Sequence, residues 1–117
     1  MKLFRRVRPS EAERVLAGGF ENHTGTYLTD REWTGVWVSD RALDCNEGIP
    51  LAAIVLLEIQ LHVPEAAIAD YEWVEEEKTY REWLLPAVLL NRYASVRMVG
   101  EDEEMDDGFL LDFDAPK

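Results

Sequence analysis

Residues 52–61, AAIVLLEIQL, are the most apolar stretch of the chain, and Pro50 and Pro64 fence them in. That bounded run constrains the fold more than any other feature. It is about half the length of the ~20 residues that a membrane span needs. A proline has no N–H to give and disfavours helical backbone just before it, so the run cannot extend into a long helix. Periodicity alone does not separate a buried strand from a buried helical segment here. Length and the β-branched Ile54, Val55 and Ile59 favour a buried central strand, with Ile54, Leu56 and Ile59 among the most buried residues.

A central strand needs neighbours, and the sequence supplies them in short pieces. Residues 2–7 alternate as a strand, with Leu3, Arg5 and Val7 on one face and Phe4 and Arg6 on the other. Ser10-Glu11-Ala12-Glu13 has the S-x-x-E form of a capping box, which predicts a helix over 10–18. Ala12, Val15 and Leu16 give that helix its apolar face, and Gly18-Gly19 ends it. Residues 20–34 read as a loop with a short strand at 26–28. A strand follows at 35–39, then a loop over 40–50 punctuated by Asn46, Gly48 and Pro50. Pro64 opens one or two helical turns over 64–69. Residues 70–74 alternate like a strand, and Glu75-Glu76-Glu77-Lys78 reads as a solvated turn. Another strand at 80–85 stops at Pro86, a short helix covers 86–91, and a last strand runs over 94–99. Some six short strands with one main helix describe an α+β domain of mostly antiparallel strands.

Charge divides the chain unevenly. Its 117 residues carry 24 acidic and 12 basic groups, a formal charge of −12. Residues 101–117, EDEEMDDGFLLDFDAPK, hold eight acids against one lysine, so −7 of the total lies there and −5 in residues 1–100. The expected organisation is one folded body over 1–100 and an acidic, partly disordered tail over 101–117. Phe109, Leu110, Leu111 and Phe113 interrupt the tail and offer a short segment that can dock on the body or on a protein partner. The single cysteine, Cys45, excludes an intramolecular disulfide and an all-cysteine zinc site. No apolar signal-peptide core follows the basic start, so the expected compartment is the cytoplasm, with no membrane partner.

Generic chemical motifs are missing. The chain has no G-x-G-x-x-G, no Walker loop, no H-E-x-x-H and no EF-hand loop. The two histidines, His23 and His62, have no metal-ligand spacing, and no metal is expected. Cys45 has no evident base beside it.

Three segments together carry more than any single motif. They are the opening strand LFRRV with SEAERVLAGGF behind it, the segment GVWVSD, and the segment YREWLLPAVLLN. In this order they resemble the ADP-ribosyltransferase-like superfamily, and within it the small bacterial branch similar to RNA 2′-phosphotransferases. There, an opening strand of the form L-Y-H-x-T precedes a helix that leads to G-F. A strand of the form G-V-W-L-S follows, and a glutamate then opens a strand that runs on into a proline. The match spans residues 2–99. It implies a small split-sheet α+β domain and an NAD-dependent ADP-ribosyl transferase, or a related NAD-using enzyme, of unknown acceptor.

Carried over residue by residue, the resemblance puts Arg5 where the nicotinamide ribose or the diphosphate is held, a task suited to a planar five-donor cation. Trp37 takes the place of an aromatic in the nicotinamide pocket. Ser39 supplies a hydroxyl that supports the glutamate or a ribose, and Tyr27 stacks on a ring. Glu82 is the superfamily's glutamate. Its carboxylate stabilises the positive charge that develops on the ribose as the nicotinamide leaves. Val7 departs from the usual small hydroxyl residue, and Tyr80 stands where protein-modifying members often carry a second Gln or Glu. Arg6 adjoins Arg5, so a one-residue slip exchanges them.

Plainer readings stand beside these. A strand arginine can be a charged edge residue, Trp37 and Trp83 can be core, and Glu82 can face outward from its strand. The alternative function is a catalytically silent domain of the same fold that acts as a binding or regulatory protein, with the acidic tail as one contact. The charge of −12 opposes nucleic acid as a partner unless Lys2, Arg5, Arg6 and Arg8 form a local basic mouth.

Overall fold

Strand β4 (Val55–Leu61) pairs on both edges, as a central strand must. On one side it meets β1 (Lys2–Val7) across six antiparallel residue pairs, from Lys2↔Gln60 to Val7↔Val55. On the other it meets β6 (Ala94–Met98). The computed structural model describes residues 1–26, 32–43 and 49–100. Tyr27, Cys45, the expected strand at 26–28 beyond Thr26, and the acidic tail over 101–117 lie outside the described residues.

Leu57, Ile59 and Leu61 of β4 are buried on the core face, and Leu56 is buried on the other. The strand is shorter than the apolar run that encodes it. Residues 51–52 form a turn in which the Ala53 N–H donates to the Pro50 carbonyl at 3.0 Å. Ile54, expected in the core, is 65% exposed. The ladder with β1 ends at Val55, so Ile54 has no neighbouring strand to cover it.

Helix α1 (Pro9–Gly18) begins one residue before the expected start. Arg8 occupies the cap position with extended backbone, and the Ala12 N–H donates to its carbonyl at 3.0 Å. Pro9 sets this register, because its fixed φ and missing N–H suit the first turn. Ser10 therefore lies inside that turn and the S-x-x-E box does not close: the cap has no side-chain hydrogen bond. Ala12 and Val15 are buried, while Leu16 is largely exposed, so the apolar stripe is narrower than its spacing suggests. The helix ends at Gly19, whose φ of 95° lies in the region that favours glycine. A Cβ there would also sit 2.7 Å from Asn91 Oδ1. The Asn91 side chain needs that space to accept from the Phe20 N–H at 2.7 Å and to donate to the Phe20 carbonyl at 2.9 Å.

Strands β2 (His23–Thr26) and β3 (Glu32–Ser39) pair through the first half of β3. The sequence reads as loop over β2 because His-Thr-Gly-Thr offers no apolar alternation; the strand is half-buried and held by its partner. A 3-10 helix covers Glu65–Tyr71. It runs through the first residues of the strand expected at 70–74, leaving only a single bridge, Glu72↔Trp83. Strand β5 (Glu82–Leu85) pairs with the second half of β3. Helix α2 (Ala87–Tyr93) follows, and its first N–H, at Ala87, donates to Asn22 Oδ1 at 2.8 Å.

The sheet order is β2-β3-β1-β4-β6, with β5 added on β3, all antiparallel. With its helices this is a small α+β domain. Leu3, Val7, Val36, Val38, Leu57, Ile59, Ile68, Trp83, Leu85 and Leu90 make up much of the core. Among the described residues no helix is long and apolar enough to cross a membrane. One joint differs from the rest. Strands β1 and β3 share the single registered pair Phe4↔Ser39.

Candidate functional site

Strand alternation sorts the side chains of β3 and β5. Val36 and Val38 face the core together with their partners Leu85 and Trp83, all buried. Trp37 and Ser39 therefore lie on the opposite face, beside Leu84 and Glu82. Glu82 and Ser39 are direct cross-strand neighbours. Trp83 is a core residue, while Trp37 is not.

The register of β1 and β3 ends at Phe4 and Ser39, and the two strands part beyond it. A cleft of about 640 Å³ fills the gap, lined by Arg5, Arg6, Arg8, Trp33, Trp37, Tyr80 and Glu82 among others. That volume lies within the roughly 300–1,000 Å³ of ligand pockets. At the joint lies a pocket of about 50 Å³, lined by Arg5, Trp37, Ser39 and Glu82 together with Arg6. Both arginines reach the cleft because it opens between strands rather than over one face. The difference lies in how each is held.

Arg5 bridges the parted strands. Its Nη1 donates to the Trp37 carbonyl at 3.2 Å, a group on the edge of β3 that faces β1. Its Nη2 and Nε donate to Glu11 Oε2 at 3.0 and 3.3 Å. Glu11 comes from α1 and also meets His23 Nε2 at 3.2 Å. Arg6 Nε donates to the Leu43 carbonyl at 2.6 Å and so braces the segment after β3.

Trp37 stands between two other indoles. Its ring meets Trp33 edge-on at 5.5 Å and Trp73 at 5.3 Å. Trp33 lies over Gly25, where a Cβ would come within 2.7 Å of its ring. The small residue in β2 thus leaves room for this indole in the cleft lining. Ser39 is buried, and its hydroxyl lies 2.7 Å from the Arg41 carbonyl, its donor contact, and 3.4 Å from that of Phe4. In this state it holds the joint.

Glu82 is mostly buried, and its Oε1 accepts from Lys78 Nζ at 2.7 Å. Lys78 also lies 3.2 Å from Glu75 Oε1 and 3.3 Å from the Trp73 carbonyl. Burial opposes the Lys78 charge, but the Glu82 and Glu75 carboxylates outweigh it and hold the ammonium above the ordinary lysine range. Its Nζ lies 5.2 Å from the centre of the Tyr80 ring, and Arg41 lies 5.4 Å from the same ring. The expected solvated turn at 75–78 is thus solvated only in part, because Lys78 turns inward.

Arg5, Trp37, Ser39 and Glu82 line one pocket, and Tyr27 lies outside the described residues. The sequence reading missed Glu11, Lys78 and Trp33. Glu11 was hidden inside the apparent capping box. Lys78 was hidden in a charged run, and its spacing of four from Glu82 has no meaning outside a helix. Among the described residues no three His, Cys, Asp or Glu side chains gather into a metal-binding group. What the cleft offers is a carboxylate with one oxygen unpartnered among the described residues, tethered guanidinium groups and an indole wall. Such a set suits a ligand with an aromatic ring, hydroxyls and anionic groups. No protein-family model, curated protein or solved structure matches the chain.

Proposed function

We propose that the chain is an NAD-using transferase, which binds NAD⁺ in the cleft between β1 and β3 and passes ADP-ribose to an acceptor. The observation that carries this reading is the convergence of Arg5, Trp37, Ser39 and Glu82, from three strands, on one pocket. Glu82 is the catalytic group. The bond from the nicotinamide nitrogen to the ribose breaks with its electron pair leaving on nicotinamide, and positive charge develops on the ribose. The carboxylate of Glu82, accepting from the ribose 2′-hydroxyl, stabilises that charge. The acceptor's lone pair then forms the new bond, and its proton passes to solvent.

Arg5 holds the cofactor in the ground state. Three of its five N–H groups are committed to Trp37 and Glu11, which leaves two for the ligand and fixes the plane of the fork. Trp37 offers its indole as the wall of the nicotinamide pocket.

One observation favours a second reading, a silent domain that binds or regulates. Glu82 and Arg5 each already have a counter-charge within the chain, Lys78 at 2.7 Å and Glu11 at 3.0 Å. Thermal unfolding with and without NAD⁺, beside an assay of nicotinamide release, separates the two. Saturation at 100-fold over the dissociation constant adds about 2.7 kcal/mol of stability. The transferase reading expects both the shift and nicotinamide release. The absence of both the shift and the release supports the silent domain and overturns the transferase.

A further inference from the structure

We infer that Lys78 is the positioning residue of Glu82, pinning Oε1 so that Oε2 is the carboxylate oxygen presented to the cleft. The inference rests on the transferase reading for its purpose, and on geometry for its content. An ammonium has three N–H donors. Lys78 Nζ has three acceptors in reach, Glu82 Oε1 at 2.7 Å, Glu75 Oε1 at 3.2 Å and the Trp73 carbonyl at 3.3 Å. No donor remains for a ligand, so Lys78 acts through Glu82 and not on substrate. Its side chain is only 13% exposed, and that of Glu82 16%.

The backbone makes the pair one unit. The Trp73 N–H donates to the Glu82 carbonyl at 2.9 Å, and Glu72 bridges Trp83. The segment that presents Lys78 is therefore laddered to the strand that presents Glu82. Among the described residues Glu82 Oε2 has no partner, which leaves it for the ribose hydroxyl.

The test uses Lys78→Met and Lys78→Gln, with Lys78→Arg as the charge-conserving control. In the ligand-free protein at neutral pH, the Glu82 carboxyl carbon is observed by carbon-detected NMR, its resonance identified by its loss in Glu82→Gln. Both neutral variants should move that resonance measurably from its wild-type position, because the hydrogen bond from Nζ to Oε1 is lost, and Lys78→Arg should keep it near wild type. Turnover should fall about tenfold at neutral pH while NAD⁺ affinity stays within about twofold, and Lys78→Arg should recover most of the loss. A Glu82 carboxyl resonance unmoved in both neutral variants overturns the inference. So does a fall in NAD⁺ affinity equal to the fall in turnover, because Lys78 would then touch ligand. The NMR measurement does not depend on turnover, so a wild-type chain that releases no nicotinamide defeats the transferase reading alone.

Discussion

Phe4 and Ser39 are the only registered pair between β1 and β3, and the Ser39 hydroxyl lies 3.4 Å from the Phe4 carbonyl at that joint. On its other edge β1 keeps six pairs with β4. One strand thus closes a sheet on one side and opens a cleft on the other. The cleft is possible because Arg5 takes over the Trp37 carbonyl, an acceptor that a continuous ladder would give to β1 backbone. A side chain on a long stem spans a gap that an N–H cannot.

Arg5→Ala should weaken NAD⁺ binding. Hydrogen bonds to a charged group contribute about 1.5–3 kcal/mol, so the dissociation constant should rise roughly 10- to 100-fold. Arg5→Lys should recover little of it, because a point charge cannot serve Trp37, Glu11 and a ligand in one plane. Calorimetric titration measures both. A wild-type affinity in Arg5→Ala contradicts the role.

Gly19→Ala should destabilise the fold by more than about 1 kcal/mol, since its φ is positive and the new methyl meets Asn91. Asn91→Ala should cost about 1–3 kcal/mol through the two lost bonds to Phe20. The double variant should cost less than the sum, because both changes break one contact. Urea unfolding of the three variants checks this, and strict additivity contradicts it.

Stability should fall at both extremes of pH for two named reasons. The hydrogen bond from Arg81 holds the Glu72 carboxyl below its ordinary value of 4.5 against the opposing effect of burial. A depressed folded value gives stability that is present above the unfolded value and lost as pH drops through the folded one. Arg81→Gln should flatten the decline that sets in as pH falls below the ordinary value of 4.5, though an exposed pair contributes little. Lys78 behaves in the opposite sense. Its folded value is raised, so its stability is present below the unfolded value of 10.5 and lost as pH climbs past it. Lys78→Met should remove that alkaline loss. Urea midpoints across pH measure both arms, and unchanged profiles contradict them.

The parts of this account that sequence carries are those governed by local rules. Pro50 and Pro64 bound β4, Gly19 ends α1, and alternation puts Trp83 and Leu85 on one face of β5. Errors arise where a partner overrides the local rule. Pro9 displaces Ser10 from the cap, the end of β1 exposes Ile54, and the 3-10 helix takes the start of the strand expected at 70–74. At the site, Arg5, Trp37, Ser39 and Glu82 are singled out from short motifs on three strands, and the fold brings the four to one pocket. Glu11 and Lys78 are not. Their importance comes from contacts at 3.0 and 2.7 Å that only the fold creates.

On the proposed function, Glu82 acts on the ribose in the transition state and Arg5 on the cofactor in the ground state. The most direct test is nicotinamide release by Glu82→Gln beside wild type, with the NAD⁺ dissociation constant of each measured separately. The variant keeps the shape of the side chain and removes its charge. Turnover should fall by roughly 10²–10³ while NAD⁺ affinity stays nearly unchanged, as for loss of one preorganised electrostatic group. Equal turnover by Glu82→Gln and wild type contradicts the account.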